Sequence, residues 1–343
     1  MARPSRWLVR AAAAAAGGAA LALAALGWLA YEIHQPLRVA DPPGRLEVAP
    51  GASLNGVTRT LHERGWASLG AMLGLRLYGR AQGVAGRLQS GEYAVEAGMT
   101  ARGLLSRIVD GEVIQYRLTV VEGWTFARFR RALERHEAVR ATLEEVPDDQ
   151  LLEALGLGGR DPEGLFFPTT YQFPRGTSDR KLLRTAYREM QERLERIWAQ
   201  RQEGLPLEGP YEALILASLI EREVRVAEER RRVAGVFTRR LERGMRLQAD
   251  PSVRYGLGEE HEGRLRRADL RRETPYNTYT HHGLPPTPIA LPSAAALRAA
   301  VNPAEGEALY FVARGDGTHH FSATLEEHNR AVERYILGEG GAE

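Results

Sequence analysis

The sequence predicts an α+β protein carried on an N-terminal transmembrane helix, and three observations lead there. A basic tip followed by a long uncharged run opens the chain. Short β-type segments then alternate with amphipathic helices, and one uncharged, largely apolar run, Leu214 to Ile220, ends abruptly in Glu221-Arg222-Glu223. A length of 343 residues suggests roughly two domains at ~100–200 residues each. With 43% hydrophobic and 26% charged residues the composition is globular. The formal net charge of +2 comes with arginines spread along the chain, so nucleic-acid binding gets no support. There is no cysteine, which excludes disulfides, thiolate metal sites and a thiol nucleophile.

Arg3, Arg6 and Arg10 precede Ala11–Tyr31, 21 uncharged residues, about the length that spans a bilayer core. Trp28 and Tyr31 sit at its far end, where interfacial aromatics belong. The basic near side places the N-terminus in the cytoplasm and the rest of the chain outside, on the inner (cytoplasmic) membrane, as a single-pass protein. A cleaved signal peptide is the competing reading, through triplets such as Ala22-Leu23-Ala24. The run exceeds a typical h-region of ~7–15 residues, which favours an uncleaved anchor over residues 1–31. Pro36, Pro42 and Pro43 mark residues 32–43 as a linker.

A weak repeat follows. Pro50-Gly51-Ala52-Ser53, Ala97-Gly98-Met99-Thr100 and Glu122-Gly123-Trp124-Thr125 share Gly-x-[Ser/Thr], each with apolar residues at matching offsets beyond. The segments ahead of them, Leu46–Val48, Tyr93–Val95 and Leu118–Val121, read as strands. Each copy is thus a strand, a glycine turn, a Ser or Thr cap and a helix. Residues 44–115 form a small α+β unit on this basis.

Residues 116–343 form a larger mixed domain. Helices are expected from Phe126 to about Ala141, from Lys181 to Gln202, from Pro210 through Val226 and from Arg230 to Arg243. The segment from Leu247 to Pro292 has little regular pattern. It contains a turn-forming Asp250-Pro251 and a stretch, Thr274–Ala290, dense in Tyr, Asn, Thr, His and Pro. Irregular segments on a scaffold are where binding groups sit. Leu309–Ala313 and His319–Ser322 read as a hairpin around Gly315-Asp316-Gly317, and a helix from Thr324 to about Leu337 closes the chain.

No metal site is expected. The pairs His281-His282 and His319-His320 lack ligand spacing, and His261-Glu262 stands alone. Ser218 lies in mid-helix without a nucleophile elbow, and Gly156-Leu157-Gly158-Gly159 lacks the lysine of a phosphate loop. Carboxylates remain. A carboxyl at the end of an apolar helix tends to stay protonated, as a general acid must. Glu221 and Glu223 cannot form a pair, because residues two apart on a helix face nearly opposite sides. A second carboxylate would have to come from Glu163, Asp250 or elsewhere, unless the reaction needs only one. Lytic cleavage of murein is such a reaction, since the C6 hydroxyl of the substrate is the nucleophile and one residue serves as acid, then base. Arg225, one turn beyond Glu221, would oppose that role if it paired with it. It is expected to turn toward solvent or toward Glu228 or Glu229.

The strings Ile220-Glu221-Arg222-Glu223 and Gly244 to Gly256, then Pro275-Tyr276-Asn277-Thr278-Tyr279 and Gly283-Leu284-Pro285-Pro286, resemble in order and spacing those of the endolytic murein transglycosylases, the YceG-like family. Tyr310–Ala313 and Glu327-His328-Asn329 extend the resemblance over about 116–337. Thr169 and Thr287 stand where that family usually has Asp and often Gly. The anchor and a small LysM-like subdomain at 44–115 also fit. The resemblance implies cleavage of the β-1,4 bond between N-acetylmuramic acid and N-acetylglucosamine in nascent strands, with 1,6-anhydro ends. It implies catalysis by the first glutamate, Glu221, without metal or organic cofactor. The implied partners are glycan strands and the murein synthases of the elongation machinery. Gln248, Asp250, Tyr276, Asn277 and Tyr279 are the candidates for positioning the sugar, with a purely structural role as the alternative for each. A hydrolytic muramidase and a non-catalytic murein-binding scaffold are the other readings.

Overall fold

The computed structural model describes residues 6–159, 161–258 and 265–338. Arg3 and the pair His261-Glu262 therefore lie outside the described residues. The chain divides into two units, Met1–Tyr116 with Phe173–Arg175 and Arg117–Gln172 with Gly176–Glu343.

The first unit begins with helix α1 (Arg6–Glu32). Its Arg10–Glu32 stretch is long and apolar enough to cross a membrane, and that stretch is not buried within the protein. The next residues are docked rather than free. Ile33 and Leu37 are buried, and the Leu37 N–H donates to the Met99 carbonyl at 2.8 Å. Strand β1 (Gly44–Val48), helices α2 (Leu54–Glu63) and α3 (Leu69–Ala81), strand β2 (Gly91–Val95) and helix α4 (Ala101–Asp110) follow. The two strands pair antiparallel with Leu46 opposite Tyr93. Alternation sends Leu46, Val48, Tyr93 and Val95 to one face, where they meet Leu61, Leu75, Leu104 and Ile108 in a shared core.

The repeat has a clear physical form. Gly51, Gly98 and Gly123 all turn the chain at φ between 76° and 78°. Two residues on, Ser53, Thr100 and Thr125 cap α2, α4 and α5 (Phe126–Glu134), each accepting a backbone N–H from three residues ahead. The first two copies lie in the first unit and the third opens the second unit's helical part.

The second unit is mixed α+β with minimal sheets. Strand β3 (Gln115–Thr119) leads into α5, followed by β4 (Val139–Arg140), α6 (Asp148–Ala154), β5 (Thr170–Pro174) and β6 (Thr177–Ser178). Sheets form between β3 and β5 and between β4 and β6. Helices α7 (Asp179–Trp198), α8 (Pro210–Glu223), α9 (Arg230–Glu242), α10 (Asp250–Leu257) and α11 (Ala294–Val301) form the body. The hairpin of β7 (Tyr310–Ala313) and β8 (His319–Ser322) and helix α12 (Leu325–Val332) complete the unit.

Helix α8 is its axis. Ala213 to Ile220 are all buried, as expected of a helix apolar around its whole circumference, and α7, α9, α10 and α11 pack on it. Several elements depart from the sequence expectation, among them α7, which ends at Trp198 rather than Gln202. Helix α5 stops at Glu134, well short of Ala141. Helix α8 stops at Glu223, because Val224 is extended at φ −104°, ψ 120°. Asp250-Pro251 starts a helix instead of making a turn, with Pro251 in the first turn, where its missing N–H costs nothing.

Candidate active site

The end of α8 delivers Glu221 and Glu223 to different surroundings, as a spacing of two on a helix requires. Glu221 is held. Its side chain is 6% exposed, its Oε2 accepts the Ser293 N–H at 2.9 Å and the Ser293 hydroxyl, and Arg230 Nη2 stands 3.5 Å from Oε1. These partners are donors and a cation, the company a carboxylate needs. Arg225 is exposed, so the cation that reaches Glu221 comes instead from the first turn of α9.

Glu223 is held by nothing comparable. Its Oε2 is enclosed by protein without a hydrogen-bond partner among the described residues. Burial, reinforced by the negative charge of Asp250, pushes its carboxyl up to about 8. A carboxyl raised in this way favours its protonated form near neutral pH, the form with a proton to give.

Asp250 opens α10 and accepts the Tyr279 hydroxyl at 2.7 Å. Burial, then the charge on Asp250, pushes the Tyr279 phenol up, which keeps it a neutral donor. The loop ahead of Asp250 is strained: Gln248 is the non-glycine residue with positive φ, 53°, among the described residues. Arg240 of α9 holds it there. Its Nη1 donates to the Leu247 carbonyl at 2.9 Å and to Gln248 Oε1 at 3.1 Å, and its Nε to the Leu309 carbonyl at 2.6 Å. Tyr310 lies 5.0 Å from the guanidinium, ring centroid to Cζ.

Beside this corner, a cavity of about 640 Å³ is lined by residues including Trp124, Arg128, Glu163, Arg222, Tyr255 and Tyr276. Arg222 Nη1 closes one wall by donating to the Gly123 carbonyl at 2.9 Å. Glu163 is 4% exposed and accepts the Phe126 N–H at the start of α5 and the Tyr255 hydroxyl at 3.2 Å. Burial outweighs those bonds and pushes it up to about 8.

The structure thus brings Asp250 and Tyr279 near Glu223, ties Gln248 to Arg240 in the loop ahead of Asp250, and puts Tyr276 on the cavity wall, its hydroxyl 2.9 Å from Thr287 Oγ1. Asn277 is different. It is 1% exposed, with its amide donating to the Leu270 and Arg272 carbonyls and its oxygen accepting the Tyr279 N–H, so it shapes the loop. Ser218 is likewise spent inside, donating to Ile215 and accepting from Ile289. Sequence reasoning passes over Ser293, Arg230 and Arg240. Only Ser293 has a local signal, as a cap before the alanine run of α11.

A family model described as the YceG-like family matches residues 46–334. A Bacillus subtilis (strain 168) protein named endolytic murein transglycosylase is 30% identical over 277 residues, covering 76% of this chain and 76% of that protein. A Streptococcus pneumoniae (strain D39) protein of the same name is 28% identical over 283 residues, 73% of this chain and 51% of that protein. The crystal structure of a yceG-like protein from Listeria monocytogenes aligns with a TM-score of 0.53 at 25% identity, covering 84% of this chain and 99% of that one.

Proposed function

Because the chain belongs to the YceG-like family, we propose that it is an endolytic murein transglycosylase whose general acid is Glu223. The enzyme cleaves the β-1,4 bond from N-acetylmuramic acid to N-acetylglucosamine within nascent strands and leaves a 1,6-anhydro end. The observation that carries this reading is Glu223 itself: a carboxyl with an enclosed, unengaged oxygen at the end of a buried helix, where burial favours its protonated form. The expectation from sequence assigns the acid's role to Glu221. Ser293 and Arg230 already occupy the Glu221 oxygens, so we assign Glu221 to fixing the end of α8.

In the first step Glu223 passes its proton to the glycosidic oxygen as the bond from the anomeric carbon breaks. The oxocarbenium-like centre that results is favoured by the carboxylate of Asp250, which Tyr279 orients. In the second step the muramyl C6 oxygen bonds to the anomeric carbon, and its hydroxyl proton goes to the Glu223 carboxylate. The acid is restored and no water is consumed. Tyr276 and the cavity beside it offer a wall for the glycan.

The proximity of Glu223 and Asp250, two carboxyl groups in one corner, also favours a second reading, a hydrolytic muramidase in which Asp250 activates water. Mass spectrometry of murein strands digested by the purified protein separates the two, because the anhydro product is one water lighter. Glu223→Gln is expected to abolish cleavage with the fold retained. If Glu221→Gln abolishes cleavage and Glu223→Gln does not, Glu221 is the acid. Intact strands with the wild-type protein would leave only a binding scaffold.

The setting that goes with this function is a single-pass anchor in the cytoplasmic membrane with the second unit outside. The β-α-α-β first unit serves as a LysM-like glycan binder, and murein synthases are the partners.

A further inference from the structure

The first unit carries one row of apolar side chains that its core does not use. Leu69, Leu73 and Leu77 of α3 are 54%, 43% and 47% exposed. Beyond α1 they are the large exposed hydrophobics of that unit among the described residues. A spacing of four puts them on one helix face, and a contiguous exposed apolar row marks an interaction surface.

Where that face sits is set by two glycines on the neighbouring face of α3, about 100° round the helix. A Cβ on Gly70 would lie 2.7 Å from Trp28, and one on Gly74 would lie 2.7 Å from the Leu29 carbonyl and 2.8 Å from Ile33. This Gly-x-x-x-Gly face lets α3 press directly onto the last turns of α1. The contact lies at the level of Trp28 and Tyr31, both exposed aromatics at the end of the apolar stretch Arg10–Glu32. At 1.5 Å per residue those 23 residues span about 34 Å, slightly more than a hydrocarbon core of about 30 Å. Helix α3 therefore meets α1 where the hydrocarbon gives way to headgroups. Arg80, exposed one turn beyond Leu77, continues the row with a charge that can reach the phosphates.

We propose that α3 lies in the interfacial layer of the bilayer that α1 crosses, with Leu69, Leu73 and Leu77 turned into the lipid. The occupant of this face is lipid, because the row is continuous with the lipid-facing end of α1. The proposal rests on α1 spanning the membrane, and its test separates the two.

The chain has no cysteine, so single cysteines carry spin labels without background. Full-length Leu69→Cys, Leu73→Cys and Leu77→Cys are labelled and reconstituted in vesicles of phosphatidylethanolamine and phosphatidylglycerol. Leu23→Cys in α1 is the hydrocarbon reference, and Arg59→Cys, exposed on α2, is the water reference. The ratio of oxygen to nickel-chelate collisions at the three α3 sites is expected to exceed that at Arg59→Cys several-fold and approach that at Leu23→Cys. A ratio like that at Arg59→Cys, with Leu23→Cys in lipid, overturns the docking of α3 alone. Low accessibility to both reagents means a protein partner covers the row, which also overturns it. Water exposure at Leu23→Cys overturns the span and the docking together.

Discussion

Two carboxylic acids on either side of a single arginine show how far environment outweighs residue type. Glu221 and Glu223 share a helix end, yet one is saturated with donors and the other has an oxygen with none. That difference has a pH signature. Glu223 and Glu163 both sit at about 8 in the folded state against an ordinary 4.5. The folded chain therefore binds more protons than the unfolded one between those values, and stability is fully present below about 4.5 and lost as pH rises through about 8. Each tenfold gain in proton affinity on folding is worth about 1.4 kcal/mol, so each acid accounts for a few kcal/mol. Glu223→Gln should flatten the fall of Tm between these pH values, measured by calorimetry, while abolishing cleavage. An unchanged slope would show that Glu223 is not a buried neutral acid. Both glutamates can be placed at the end of an apolar run from sequence, but not which one Ser293 binds, since Ser293 lies 72 residues away.

At the level of elements, the site depends on how helices end and begin. Helix α8 stops at Glu223, and α10 starts at Asp250, so two helix ends bring together carboxyl groups that a run of sequence separates. Arg240 ties the intervening loop in place and supports the unfavourable φ of Gln248. Arg240→Lys keeps the charge but loses the fork. It should cost at least about 1.5–3 kcal/mol, the worth of one hydrogen bond to a charged group, and lower turnover without changing the product ends. Urea titration and product analysis check the two halves of that statement. Ser293→Ala removes the α11 cap and a donor to Glu221 together. It should destabilise by about 0.5–2 kcal/mol, as cap losses do, and a change below that range would make the cap idle. Caps, glycine turns and helix faces are legible here because they are local. The strand–glycine–cap repeat appears at Ser53, Thr100 and Thr125 as its spacing requires. The helical start at Asp250 reads as a turn in sequence because Asp-Pro suits both, and only packing on α8 selects the helix.

Across the whole molecule, the α+β class, the apolar N-terminal helix and the apolar α8 can be read from periodicity and composition. The residues that hold the parts of the second unit together cannot, because their bonds run over long separations. Glu229 shows this: it accepts the His319 N–H at 3.0 Å across 90 residues, and His319 Nδ1 lies 2.7 Å from its Oε2. Arg240 likewise finds Leu309 and Tyr310 in β7 and just before it. Both partners sit in the terminal hairpin, downstream of every residue proposed to handle substrate. This sets a genetic boundary. A premature stop before Leu309 spares the codons for Glu221, Glu223, Asp250 and Tyr279 but removes the partners that Arg240 and Glu229 rely on. Such alleles, which keep every residue proposed to handle substrate, are expected to behave as complete loss-of-function alleles in a complementation assay.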